Sequence, residues 1–271
     1  MMAVWQKVIN GETARPGPKS ETRAWTQAAL APLVLSGFIA LWALFVRVTG
    51  YPAFILPGPE RVWKSLLTLT ADGTLWRHTG TTLSEVLAGL VLGMSVAFVL
   101  GYLLSRSRTV EQIVAPYIVA SQSIPIVAIA PLLVIWFGAG ATSKIIVSAL
   151  IVFFPILISC IAGLRSAEPD LRDLMRALAA TRWQTFTKLE LPAAMPMLVS
   201  GLKVGATLSV IGAVVGEFVG ADRGLGFLVK QGQGLYDTPL MFVAVISLVV
   251  IAMSLYGLVV LIERHLLAWK Q

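Results

Sequence analysis

The stretch Arg165-Ser166-Ala167-Glu168-Pro169-Asp170-Leu171-Arg172-Asp173-Leu174-Met175-Arg176-Ala177-Leu178-Ala179-Ala180-Thr181-Arg182-Trp183-Gln184, closing on Lys188-Leu189-Glu190-Leu191-Pro192, decides how the chain is read. It is a polar island between the apolar runs Ile145–Leu164 and Met197–Val215. Proline is favoured at the first helical position, so a helix is expected to start at Pro169. Leu171, Leu174, Met175 and Leu178 then fall at i, i+3, i+4 and i+7, one apolar stripe of a helix. Ala179-Ala180 allows a tight junction. Thr181 and Gln184 have the spacing of a capping box, which restarts a helix. Trp183, Phe186 and Leu189 form its apolar edge, and Leu191-Pro192 is expected to end it. Two short amphipathic helices in this position either lie on the membrane surface or are offered to a soluble partner.

Outward from the island, the chain is apolar. Of its 271 residues, 57% are hydrophobic and 13% charged, against about 25% charged in a soluble domain. Mean hydropathy is +0.82. Crossing a bilayer takes roughly 20 apolar residues. Six stretches qualify: Ala28–Val46, Val86–Leu104, Ile113–Phe137, Ile145–Leu164, Met197–Val215 and Leu240–Ile262. The expected fold is therefore all-α and polytopic, with about six transmembrane helices and both termini on one side. With the N-terminus inside, thirteen of the 21 Lys and Arg lie in cytosolic segments, seven lie outside, and Lys203 snorkels inward from span five. The positive-inside rule then gives N-in, C-in. The net charge of +7 is read as this orientation signal, with no nucleic-acid partner implied. Residues 1–27 read as a flexible cytosolic arm before an uncleaved first span, 28–265 as the membrane domain, 165–192 as a cytosolic loop within it, and 266–271 as a cytosolic tail. The single cysteine, Cys160, reads as a packing residue, and His78 and His265 flank different spans. No metal site is expected.

Three places in the spans invite a functional reading. Span three holds Ser121-Gln122-Ser123-Ile124-Pro125 and then Pro131. Each proline removes a backbone hydrogen bond and bends a helix, and the two serines and Gln122 can satisfy the freed carbonyls. The bend either lines a translocation path or is a packing kink. Glu217, at the end of span five, is either a functional intramembrane acid or an interfacial acid in water. On the same span Gly201, Gly205, Gly212 and Gly216 allow a close helix contact, expected to serve a second copy of the chain. In the first external loop, Leu56-Pro57-Gly58-Pro59 forms a turn. After it, Glu60–Leu69 reads as an interfacial helix, with Trp63 and Trp76 at headgroup level.

The island is similar to the signature of permease subunits of bacterial binding-protein-dependent ABC importers. That signature is Glu-Ala-Ala, three residues, Gly, nine residues, then Ile-x-Leu-Pro. Asp173-Leu174-Met175 occupies the triplet, Ala179 the glycine, and Leu189-Glu190-Leu191-Pro192 the close, with every spacing kept. Alanine at the glycine position disfavours a left-handed turn, so a continuous or differently bent junction is expected. Ala130-Pro131-Leu132 with Gly138, and Gly216-Glu217-Phe218 with Gly224-Leu225-Gly226, resemble the nitrate, sulfonate and taurine branch. Phe153-Phe154-Pro155 is most similar to permeases for thiamine-pyrimidine precursors and riboflavin. The resemblance implies the membrane-spanning subunit of an ATP-driven importer in the bacterial inner membrane. It implies two separate ATPase subunits carrying ATP and Mg, an external solute-binding protein and a second copy of the permease, with no cofactor in this chain. No Walker A segment occurs, since Gly138 to Lys144 has the wrong spacing, so ATP hydrolysis falls to the partner. The implied ATPase contact comprises Leu171, Arg172, Asp173, Leu174, Met175, Arg176, Leu178, Ala179, Trp183, Phe186, Leu189, Leu191 and Pro192. Of these, Leu174, Leu178, Trp183 and Phe186 are expected to be buried by the ATPase, with Arg172, Asp173 and Arg176 at the rim. The path residues would be Ser121, Gln122, Ser123, Pro125, Pro131 and Glu217. An ion-coupled secondary transporter is the alternative; it needs paired intramembrane ionisable groups, and the sequence offers only Glu85, Lys203 and Glu217 near span ends. A membrane-embedded enzyme would need a His, Asp or Glu cluster at one depth, and none is legible.

Overall fold

A computed structural model describes residues 21–267, with side chains described over 32–267. The described residues are all-α, and the chain divides into two compact units at Glu60/Arg61.

In the first unit, helix α1 (Glu21–Thr49) ends at Gly50, whose φ of 64° belongs to the left-handed region. The helix thus reaches back beyond the apolar run to Glu21, so residues 21–27 are helical where an arm was expected; residues 1–20 of that arm lie outside the described residues. Alanine, tryptophan and glutamine in this segment are compatible with continuing the helix. The segment Pro32–Thr49 is apolar enough to cross a membrane, with none of it buried within the protein. The unit ends just inside helix α2 (Pro59–Ala71), the short amphipathic helix expected after the Pro-Gly-Pro turn; most of α2 belongs to the second unit, with Val62 buried and Trp63 exposed.

In the second unit, α3 (Thr74–Ser105) begins twelve residues before the apolar run expected at Val86. The Thr74 amide donates to Asp72 Oδ1 at 2.8 Å, and this bond holds the Asp72 carboxyl below its ordinary pKa. The early turns escaped a hydropathy reading because their polar groups, Thr82 and Glu85, are turned into the protein. Next come α4 (Arg108–Gln122) and α5 (Ile126–Phe137), which meet at 88° and replace the single bent span three. The break is at Ser123–Pro125 alone. Pro125 has no N–H for the ladder, and Ser121 and Ser123 return their hydroxyls to Ile118 O and Val119 O. Pro131, the second expected bend, is carried inside α5, six residues into the helix. Its missing amide would have reached Val127 O, so α5 forgoes one ladder bond there without breaking.

Helix α6 (Ala141–Arg165) is the centre of the bundle, packed between α3 and α9 (Leu191–Gly220). The glycines of α9 make this close approach. A methyl at Gly212 would lie 2.5 Å from Ser148 Cα, and one at Gly201 would lie 2.5 Å from Ser159 Cβ. All four glycines, Gly201, Gly205, Gly212 and Gly216, face α6 of the same chain. The expectation that they serve a second copy is therefore corrected. Ser148 Oγ donates to Ser209 O at 3.0 Å across this seam. Cys160 is fully buried against Phe98 and Gly101, as a packing residue. Helices α7 (Pro169–Ala177) and α8 (Arg182–Thr185) form the island, and α10 (Leu225–Leu235) and α11 (Thr238–Leu266) complete the unit. Five described helices are long and apolar enough to cross a membrane, or six spans if the bent pair counts as one. Residues 268–271 of the expected tail lie outside the described residues.

Candidate functional site

In the island, α7 starts at Pro169 as the sequence implied. It stops with Ala179 at φ 51°, in the left-handed region. The Ala179 amide donates to Arg176 O at 2.9 Å and the Ala180 amide to Met175 O at 3.0 Å. These two bonds make a Schellman turn, in which the left-handed position usually belongs to glycine. Ala179 therefore takes the glycine's conformation despite its Cβ, and the expected continuous or differently bent junction is corrected. Thr181 and Gln184 then close the capping box in both directions, at 2.8 and 3.2 Å.

Beyond α8 the backbone widens into a π turn, Phe186–Glu190, and runs straight into α9. Leu191-Pro192 does not end the second helix. Pro192 lacks the amide that would reach Lys188 O, and the Leu191 amide reaches back five residues to Phe186 O instead. The island's second helix is thus the leading end of a 39-residue segment, Arg182–Gly220.

The expected contact residues separate into two groups. Leu171, Leu174, Leu178 and Trp183 are exposed at 41, 52, 68 and 70%. Asp173 and Arg176 pair with each other at 2.9 Å on the surface. Phe186 is instead buried, packed edge-on to Tyr102 at 5.1 Å and clustered with Cys160, Leu164 and Ala194. Its expected burial by a partner is corrected, because its own chain already covers it. Arg172 likewise turns inward and donates to Leu164 O at 3.0 Å, satisfying a carbonyl at the end of α6. Met175, Leu189, Leu191 and Pro192 are half-buried.

The second constellation is at the far end of α9. Glu217 is fully buried and accepts from Thr82 Oγ1 at 2.6 Å, from the Gly226 amide at 2.5 Å and from the Phe227 amide at 3.3 Å. Those amides open α10, so the carboxylate sits where the helix dipole favours negative charge. Thr82 Oγ1 in turn accepts from the Leu225 amide at 2.7 Å. Gly224, at φ 113°, leaves no room for a side chain, because a Cβ there would overlap the Glu217 carboxyl. The pattern Gly216-Glu217-Phe218 with Gly224-Leu225-Gly226 is thus one physical unit, a latch that ties α3, α9 and α10 together. The reading of Glu217 as an interfacial acid in water is corrected, because the carboxyl is fully buried and held by donors of its own chain.

Two more buried ionisable groups lie at this end, and the sequence signalled neither role. Glu85 contacts the Glu217 carboxyl, and its Oε2 has no hydrogen-bond partner among the described residues. Lys144, in the first turn of α6, is 3% exposed and donates to Ala139 O at 2.5 Å and Gly140 O at 3.1 Å. Lys203 pairs with Glu263 of α11 at 2.5 Å instead of snorkelling freely. Of the expected path residues, Gln122, Ser123, Pro125 and Pro131 are exposed and Ser121 is half-buried. They cluster at and beyond the α4–α5 break, away in sequence from the latch.

A bundle of long apolar helices, with a polar helical island emerging from one of them, defines a polytopic membrane transport subunit. Residues 89–268 match the family of binding-protein-dependent transport system inner membrane components, and the chain belongs to that family as an ABC importer permease. It is 45% identical over 269 residues to the riboflavin transport system permease protein RibX of Chloroflexus aurantiacus, covering 98% of this chain and 99% of that one. It is 32% identical to the formylaminopyrimidine transport permease protein ThiX of Halalkalibacterium halodurans, covering 90% and 97%. Among solved structures, the inward-facing MetNI methionine ABC transporter shares the fold, with a TM-score of 0.65 and 22% identity over 73% of this chain and 98% of that one. The chain is therefore a multi-pass permease of the bacterial inner membrane, not an enzyme. The secondary-transporter alternative gives way to this assignment.

Proposed function

We propose that the chain forms the translocation path of an ATP-driven importer for a riboflavin-like or pyrimidine-precursor solute. Membership of the family and the two relatives described above support this solute class over sulfonates, taurine or nitrate. In this reading both termini and the island are cytosolic, two copies of the permease pair, two ATPase subunits bind ATP and Mg, and an external solute-binding protein delivers the cargo. Binding of this external protein to riboflavin, a formylaminopyrimidine, taurine and nitrate checks the solute. Saturable binding of riboflavin or the pyrimidine is the expected outcome, and binding of taurine or nitrate alone overturns that choice.

One observation carries the coupling role. The exposed apolar row Leu171, Leu174, Leu178 and Trp183 ends at Trp183, which stands on a segment continuous with α9. An ATPase that grips Trp183 therefore pulls on a helix reaching to Gly220. ATP binding biases the two transport states through this grip only if the docked geometry differs between them. The five residues Ser121, Gln122, Ser123, Pro125 and Pro131 line the path in this reading, where broken helices are tolerated beside a cavity. Glu217 is left out of the path and serves the latch. Trp183→Asp puts a charge in the docking face while leaving the 70%-exposed position free of internal strain. Uptake should fall at least tenfold, with normal membrane insertion and loss of ATPase co-purification. Uptake at the wild-type rate would remove the coupling assignment.

A further inference from the structure

A cleft of about 430 Å³ lies beside the island, and none of Leu171, Leu174, Leu178 and Trp183 lines it. Its walls come from the last turn of α3 (Ser105, Arg106), the end of α6 (Leu164) and the island itself. Four guanidiniums line it, those of Arg106, Arg172, Arg176 and Arg182, against one lining carboxylate, Glu190, while Arg176 also pairs with Asp173 at 2.9 Å. Glu190 is spoken for, paired with Arg106 at 3.0 Å. Arg106 is further oriented by the Tyr102 hydroxyl at 2.9 Å and by the Tyr102 ring, 4.4 Å from its carbon. Arg172 spends one nitrogen on Leu164 O, and its Nε is buried without a partner among the described residues. Arg182 is exposed and has no ion-pair partner among them. The nearby Arg165 does not contribute, since Glu111 and Leu104 O hold it.

We propose that this cleft binds the phosphate of an anionic lipid headgroup. Charge and geometry both argue for a phosphate, because planar guanidinium forks converging on one space suit its oxygens better than a single carboxylate needs. Depth argues for the lipid. The apolar runs of α3 and α6 stop at Leu104 and Leu164, and the cleft opens directly beyond them. Headgroup phosphates of the adjacent leaflet lie at that level, and the cytosolic leaflet is the one rich in anionic lipid. That it is the cytosolic leaflet rests on the orientation proposed above; the site itself does not. Bound there, a headgroup would brace the island while its apolar row faces a protein partner.

The test is native mass spectrometry of the purified full chain with equimolar phosphatidylglycerol and phosphatidylcholine. Wild type should retain phosphatidylglycerol preferentially, and the double variant Arg176→Glu with Arg182→Glu, both surface positions, should lose that preference at least tenfold. Arg223→Glu, at an exposed position outside the cleft, should keep it. Equal retention by the double variant overturns the proposal. Millimolar inorganic phosphate binding in place of any lipid also overturns it, by showing a soluble ligand. So does loss of ATPase co-purification with lipid retention unchanged, which would give the arginines to the protein partner. Trp183→Asp should leave lipid retention intact, so failure of the docking assignment and failure of this one remain separable.

Discussion

Glu217 shows at the residue scale how a buried acid is held. Three donors, two of them amides at a helix start, converge on one carboxylate, and hydrogen bonds to a charged group contribute about 1.5–3 kcal/mol each. Glu217→Gln should lower stability by about 2–3 kcal/mol, because its amide cannot accept at every position the carboxylate does. Thr82→Val, which cuts both the Glu217 and Leu225 bonds, should cost about 1–3 kcal/mol. The adjacent Thr81→Val should be near neutral, because Thr81 Oγ1 bonds only to Arg77 O of its own helix. Thermal unfolding of the three detergent-solubilised variants checks this, and equal losses at Thr81 and Thr82 would contradict the latch. Glu217 was visible in the sequence as an anomaly. Its partners were not, because Thr82 lies 135 residues away and nothing in a run of threonines says which one turns inward.

At the scale of elements, the island's local rules were written plainly, and its junction was not. Pro169 and the Thr181–Gln184 box act within a few residues, so sequence spacing alone predicts both. Ala179 obeys a different balance. Its left-handed backbone costs about 1–2 kcal/mol for an L-residue, and that cost is met by the two Schellman hydrogen bonds and the box that follows. Ala179→Gly should therefore stabilise the junction, by about 1 kcal/mol, without moving it. Slower amide exchange at Ala180 and Thr181 would register the gain, and faster exchange would refute the strain. Pro192 teaches the converse lesson. A proline after a leucine reads as a stop, yet a π turn absorbs it and extends the helix into the island. The cost of that turn is local, while the packing of Phe186 against Tyr102 and Leu164 is tertiary and outweighs it.

Over the whole molecule, the sidedness proposed for the island and the latch places them at opposite ends of α9, Arg182 leading into it and Glu217 near its close. In that arrangement, single cysteines at Arg182 and Arg223 should react differently with a membrane-impermeant maleimide. Arg223→Cys should label in intact spheroplasts and Arg182→Cys only after permeabilisation. The native Cys160 gives little background, being fully buried. The reverse pattern would invert the proposed orientation. By itself the sequence determined the class: long apolar runs need no partner to be recognised, and the island's periodicity and spacing are local. It also contained the glycine stripe of α9 and the Gly224-Leu225-Gly226 turn. Only the tertiary structure decided what these serve. The glycines meet α6 of their own chain, Phe186 turns inward, Pro125 breaks span three while Pro131 does not, and Glu85 and Lys144 join the buried end near Glu217. The physical reason is range. Helix periodicity and capping act over a few residues, but which face of a helix is buried, and against which neighbour, depends on contacts tens to more than a hundred residues away.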